Sequence, residues 1–192
     1  RRHAPHGVFG VSGGVKVFAP LEMARELPRF ANQWPIVFIT RRDIVAQAVS
    51  EAIALTTRAY KASTRPSRIL AADDYDAESI ARSIDASLAV NAGWEGAFLH
   101  YRIEPLRLAY EDLIADPEGV TARAAQFIDI DGPPVTQKWL LFEPLRRQAD
   151  ALNEAWIARF RAEQSDFCDQ REAGFFRLDG SPARAVEALA TP

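Results

Sequence analysis

Arg41, Arg42 and Asp43 follow a short apolar run, and Ser50 stands eight positions after Arg42. Guanidinium groups present a planar fork of donors that can bracket a phosphate, and a serine hydroxyl adds one more donor. The chemistry open to this set is the holding of an anion. Eight residues of helix separate its ends by about 12 Å, which a long arginine can shorten by folding back over the first two turns.

The elements that would position these groups are legible on either side. Residues 35–40, Pro-Ile-Val-Phe-Ile-Thr, are apolar and β-branched, which predicts a fully buried parallel strand. From Asp43 the period changes: Ile44, Val45, Ala48, Val49, Ala52 and Ile53 recur on one helix face. That spacing predicts a helix running to about Tyr60, with Asp43 at its positive end. The arginines therefore stand at the carboxyl end of a strand, the edge at which open α/β sheets bind ligands. Two arginines after a strand also make an ordinary solvated helix start, and a helical serine is often filler. The order of elements favours the anion.

Composition bounds the rest. A chain of 192 residues is most simply one domain. A hydrophobic content of 48% and a charged content of 26% are those of a globular protein. The net charge of -3 argues against nucleic-acid binding through phosphate neutralisation and confines any anion site to a local arginine cluster. Cys168 is the single cysteine, which excludes an intrachain disulfide and a cysteine metal cluster. There is no apolar run of membrane-spanning length and no signal-peptide pattern, so a cytoplasmic location is the expectation. The chain starts at Arg1 and its only methionine is Met23, which reads as a chain lacking its natural beginning or as a processed product.

In order along the chain, residues 7–18 are strand-like around a Ser12-Gly13-Gly14 break, which reads as a turn or bulge. No Gly-x-x-x-x-Gly-Lys spacing follows that break. Lys16 lies in this segment, residues 21–30 have helical spacing, and residues 61–68 form a polar, proline-bearing loop. The acids of residues 73–78 supply caps for a long helix with Ile80, Ile84, Leu88, Trp94 and Phe98 on its buried side; this reading is preferred over a metal cluster. Gly93 and Gly96 suggest close packing or a bend. Residues 106–110 predict a second strand. Asp116 and Pro117 predict an N-cap and first helical residue, with Val120, Ala124 and Phe127 facing inward. Glu111 and Asp112 are candidate catalytic carboxylates, but a structural role is preferred, one of them pairing an arginine near the sheet edge. Residues 145–160 are amphipathic through Leu145, Leu152, Trp156 and Phe160; residues 174–178 read as a final short strand or packed tail. Disorder is to be expected over the alanine-rich residues 181–192.

The wording Arg-Arg-Asp-x-Val-x-Gln-Ala-Val-Ser at residues 41–50 resembles the bacterial trehalose 2-sulfotransferase-type family of the sulfotransferase superfamily. The Tyr-Glu-Asp-Leu of residues 110–113, the Ala-Asp-Pro-Glu-Gly of residues 115–119 and the tryptophan-bearing residues 153–161 carry the same resemblance. It implies an α/β fold, a P-loop-NTPase-like parallel sheet flanked by helices. Residues 1–192 would form a single partial domain lacking the first strand and the phosphosulfate-binding loop. It implies transfer of a sulfuryl group from 3′-phosphoadenosine 5′-phosphosulfate to a hydroxyl of a small molecule or glycan, with no metal, and little activity of this chain alone. Arg42 and Ser50 would hold the donor's 3′-phosphate, and Lys16 would touch the leaving phosphate. Phe18 stands where many sulfotransferases have a histidine base, so the catalytic base is unassigned. Homodimers occur in the family and are left open here. Two alternatives stand: a non-catalytic scaffold of the same fold, favoured by Phe18 and the Ser12-Gly13-Gly14 insertion, and a nucleotide-kinase-like enzyme, which would need a Gly-Lys phosphate loop.

Overall fold

Val37–Thr40 forms strand β1 and Leu106–Ala109 forms strand β2, paired in parallel with Val37 opposite Leu106 and Thr40 opposite Ala109. The structure is a computed structural model that describes residues 34–60, 64–129 and 151–173. By its internal contacts the chain divides into two units, Arg1–Pro35 and Ile36–Pro192, and the second holds nearly all the described residues. The expectations for residues 7–18 with Lys16, 21–30, 145–150, 174–178 and 181–192 lie outside the described residues. A parallel pair needs a long crossover. Here it consists of helix α1 (Ile44–Thr57), a 3-10 turn (Ala72–Asp74) and helix α2 (Ala77–Tyr101).

Strand side chains alternate between faces, and α2 covers one of those faces. Phe38 meets Phe98 edge-on at 5.2 Å between ring centroids and Trp94 at 6.5 Å. Its register partner Arg107 lies on the same side. There it donates to both carboxylate oxygens of Glu95, at 2.9 and 2.5 Å, with its guanidinium 6.0 Å above the Phe98 ring. Ile39 points to the opposite face and is 52% exposed. The strand is therefore not fully buried, as its run of apolar residues predicts, because the helix seals one face only.

Local chemistry accounts for where the helices start and stop. Asp43 caps α1 by accepting the Ala46 N–H at 2.8 Å, and Asp76 caps α2 by accepting the Ser79 N–H at 3.0 Å. The expected run of α1 to Tyr60 stops at Thr57. Arg58 turns left-handed (φ 57°), and Ser67 supplies both its N–H and its hydroxyl to the Thr57 carbonyl at 2.8 Å. Of the acids before α2, Asp74 accepts the Ala71 N–H and pairs with Arg68. Among the described residues, no group of three His, Cys, Asp or Glu is placed to hold a metal.

The core forms where α1 is held between α2 and helix α5 (Ala151–Glu163), with Cys168 of helix α6 (Ser165–Ala173) at its edge. Val45, Ala48 and Val49 of α1 are fully buried against Ile80 and Ile84 of α2 and Trp156 and Phe160 of α5. The stripe seen in the sequence is thus the seam. Helix α5 runs antiparallel to α1, since Asn153 lies beside Ser50 and Arg161 beside Asp43.

After β2 the chain turns at once into helix α3 (Tyr110–Ala115) and then helix α4 (Pro117–Phe127). The strand expected to include Tyr110 ends one residue earlier. Asp116 caps α4 through the Gly119 N–H at 2.9 Å, and Pro117 takes the first position. Val120 is buried, but Phe127 is 37% exposed; the inward stripe leaves the packed surface in the last turn.

Of the two readings of Gly93 and Gly96, close packing is not the one: a Cβ at either position would meet nothing within 4 Å. Helical glycine then costs backbone entropy for no return. Gly93→Ala and Gly96→Ala are each expected to raise stability by about 0.5–1 kcal/mol. Gly119→Ala should show no such gain, because its Cβ would strike the Asp116 carboxylate that caps α4. Urea unfolding of the three variants checks the contrast.

Beside the seam, the Tyr75 ring packs edge-on against Trp156 at 5.8 Å, with the Arg159 guanidinium 4.1 Å over its face. The Tyr75 hydroxyl is buried without a hydrogen bond of good geometry. Burial, reinforced by the nearby Glu163 carboxylate, pushes it up to about 12. An unfolded tyrosine titrates near pH ~10. From there up to about 12 only the unfolded chain gives up this proton, so stability falls as pH rises. Tyr75→Phe is expected to flatten that part of a stability-against-pH curve.

Candidate functional site

Because β1 and β2 end in register, the three residues after each strand lie side by side. Arg41, Arg42 and Asp43 leave β1; Tyr110, Glu111 and Asp112 open α3 after β2. Each residue of the second set grips a part of the first. The Arg41 guanidinium lies 4.9 Å over the Tyr110 ring. Glu111 accepts the backbone N–H of Arg42 on one oxygen at 3.0 Å and that of Asp43 on the other at 3.2 Å. Asp112 accepts Nη1 and Nη2 of Arg42 at 2.7 and 2.6 Å.

A third arginine joins from α5. Arg161 donates from Nη2 to Oδ1 of Asp43 at 2.9 Å, the oxygen that also caps α1. Three arginines and three carboxylates thus meet at the start of α1. The hydrogen bond from Arg42 holds the Asp112 carboxyl below the usual carboxylate range, and the same bond raises Arg42. The pair is therefore fully ionised at neutral pH. Its side chains are 54% and 42% exposed, so it contributes little to stability but sets where the guanidinium sits.

The geometry limits how an anion could be held. A helix start ordinarily offers its free N–H groups to an anion, but here those of Asp43, Ile44 and Ala46 are already taken by Glu111, the Arg42 carbonyl and the Asp43 side chain. Side chains are then the main donors left for a further anion. Arg42 has five N–H donors and Asp112 takes one from each Nη, which leaves Nε–H and one N–H on each Nη. Arg41 is less available: its side chain is 22% exposed, and its buried Nε is 3.8 Å from Glu111, too far for a hydrogen bond.

Arg42 and Ser50 are held by different neighbours. Arg42 is turned toward α3, whereas the Ser50 hydroxyl is turned toward α5 and donates to Oδ1 of Asn153 at 3.4 Å. Glu111 and Asp112 take the structural role preferred from sequence, and both of them, not one, engage the arginines. Arg161 and Asn153 were missed. The available signal for Asn153 was its place with Trp156 and Phe160 at i, i+3 and i+7, a polar residue on an otherwise buried stripe, and it is indeed buried. Arg161 gave no sign.

The profile of the Stf0 sulphotransferase family matches residues 28–163, a span that includes both strand ends and the whole of α5. Over 128 residues the chain is 30% identical to the trehalose 2-sulfotransferase of Mycolicibacterium smegmatis, covering 67% of this chain and 46% of that protein. Over 132 residues it is 32% identical to the trehalose 2-sulfotransferase of Mycobacterium tuberculosis, covering 69% and 47%. The matched stretch spans about half the length of these curated relatives. With a family profile that runs across both strands and the arginine-bearing turn after β1, the chain belongs to the Stf0 sulphotransferase family.

Proposed function

We propose that the protein is an enzyme that transfers a sulfuryl group from 3′-phosphoadenosine 5′-phosphosulfate to a sugar hydroxyl, as part of a P-loop-NTPase-like α/β domain. The observation that carries this is Arg42. It stands at the carboxyl end of β1, pinned by Asp112 yet half exposed, with three N–H donors unused by that pair. Those donors fit a phosphate dianion approaching from solvent. Ser50 would add its hydroxyl proton by exchanging its long contact to Asn153 for a phosphate oxygen. The bound donor supplies the sulfuryl group and a phosphate leaving group. Lys16 is assigned to that leaving phosphate by resemblance alone, and the phosphosulfate end falls to segments other than those described. The contribution of the described residues is position: they would fix the donor through its 3′-phosphate. The names of both relatives make trehalose the first acceptor to try.

The test is calorimetric titration of 3′-phosphoadenosine 5′-phosphate into the whole protein and into its Arg42→Ala variant. A charge-assisted hydrogen bond is worth about 1.5–3 kcal/mol, so the variant should bind roughly 10- to 150-fold more weakly. Equal binding by the two proteins would remove Arg42 from the site.

A further inference from the structure

We infer that Asp112 is a positioning residue for the donor's 3′-phosphate, acting through Arg42; this rests on the donor site proposed above. A carboxylate beside a phosphate site is unexpected on charge alone, because it repels the ligand. Two features of the geometry give it a reason. Asp112 uses both oxygens against the two Nη groups, so the terminal edge of the guanidinium is fixed in plane and direction. That leaves the Nε side of the same fork as the edge facing away from Asp112. The carboxylate thus holds the arginine without covering the donors a phosphate would use.

The pair rests on further contacts. Asp112 sits one residue after Glu111, whose two oxygens fix the backbone of Arg42 and Asp43. Glu111 follows Tyr110, which lies under Arg41. Both triplets leave strands paired in register. Main chain and side chain of Arg42 are therefore held by adjacent residues of one short helix. Arginine otherwise has four flexible side-chain torsions to immobilise when a ligand binds. Fixing them beforehand lowers the ordering cost of association.

Two effects oppose each other when Asp112 is changed, and they differ in sign. If the carboxylate only repels phosphate, Asp112→Asn tightens binding. If it positions Arg42, Asp112→Asn weakens binding, because the amide keeps one acceptor and turns an NH2 group against the guanidinium. Immobilising one rotamer-rich side chain corresponds to a factor of roughly 2 to 13 in affinity, whereas exposed charges are screened by salt. Positioning should win.

The experiment is titration of 3′-phosphoadenosine 5′-phosphate into four forms of the whole protein: wild type, Asp112→Asn, Arg42→Ala and the double variant. Thermal unfolding of each checks that it is folded. Asp112→Asn is expected to bind about three- to tenfold more weakly than wild type. It should have no further effect once Arg42 is alanine, since it acts only through that side chain. Asp112→Glu, which keeps two oxygens on a longer stem, should recover part of the loss. Equal or tighter binding by Asp112→Asn overturns the inference, as does a loss that persists undiminished in the Arg42→Ala background. Failure of the underlying donor site is distinct: the wild type itself would not bind, and the positioning role would fall with it.

Discussion

Phe160→Ala is expected to lower stability by about 3–5 kcal/mol, the range for removing a fully buried aromatic ring. Phe160 has no exposed surface, packs edge-on against Phe167 at 6.1 Å, and belongs to the cluster that seats α5 on α1. Neighbouring Val45, Val49, Ile80 and Ile84 are as deeply buried, so little could collapse into the cavity. A domain has only about 5–15 kcal/mol of stability in total, and the variant should be near the limit of folding. In urea its midpoint should fall with little change of slope. Phe127→Ala is the control: the residue is 37% exposed, and the change should cost much less, about 1 kcal/mol. A Phe160→Ala cost as small as that control would mean that α5 is not seated on α1 as described. It would also detach Arg161 and Asn153 from Asp43 and Ser50.

Glu111→Ala is expected to cost about 2–3 kcal/mol, although the residue is neither in the core nor fully buried. Its carboxylate takes two backbone N–H groups where β1 passes into α1. Charge-assisted bonds of this kind are worth about 1.5–3 kcal/mol each when water is excluded. The side chain is 32% exposed, so water can replace part of the loss, which brings the sum down to that range. Glu111→Gln keeps one carbonyl oxygen for one of the two N–H groups and should lose roughly half as much. The consequence for the site should exceed the consequence for the fold. Without Glu111 the turn bearing Arg41 and Arg42 loses its backbone anchor. Affinity for 3′-phosphoadenosine 5′-phosphate should then drop even at temperatures where the variant is fully folded. Unchanged stability in Glu111→Ala would show that the turn is held by strand pairing alone.

These expectations rest on features of unequal legibility. The helix caps at Asp43, Asp76 and Asp116 could be read because each bond spans three residues of chain. The stripe of Val45, Ala48 and Val49 could be read because burial on a helix repeats with its turn. Local pattern failed where burial depends on what arrives from elsewhere. The apolar run at residues 35–40 predicted two covered faces, yet α2 reaches one, and Ile39 is left half exposed. The paired glycines of α2 suggested close packing or a bend, and a Cβ at either would meet nothing within 4 Å, which removes the first of these.

By itself, then, the sequence determined the kinds of element, the caps that begin them and the arginine-bearing turn at the end of a parallel strand, because these depend on residues within about one helical turn of each other. Only the tertiary structure decided what each charge of that turn meets. Arg42 finds Asp112 across 70 residues, Ser50 finds Asn153 across 103, and Asp43 finds Arg161 across 118. Such pairings follow from strand register and from the antiparallel seating of one helix on another, and neither leaves a periodic trace in the chain.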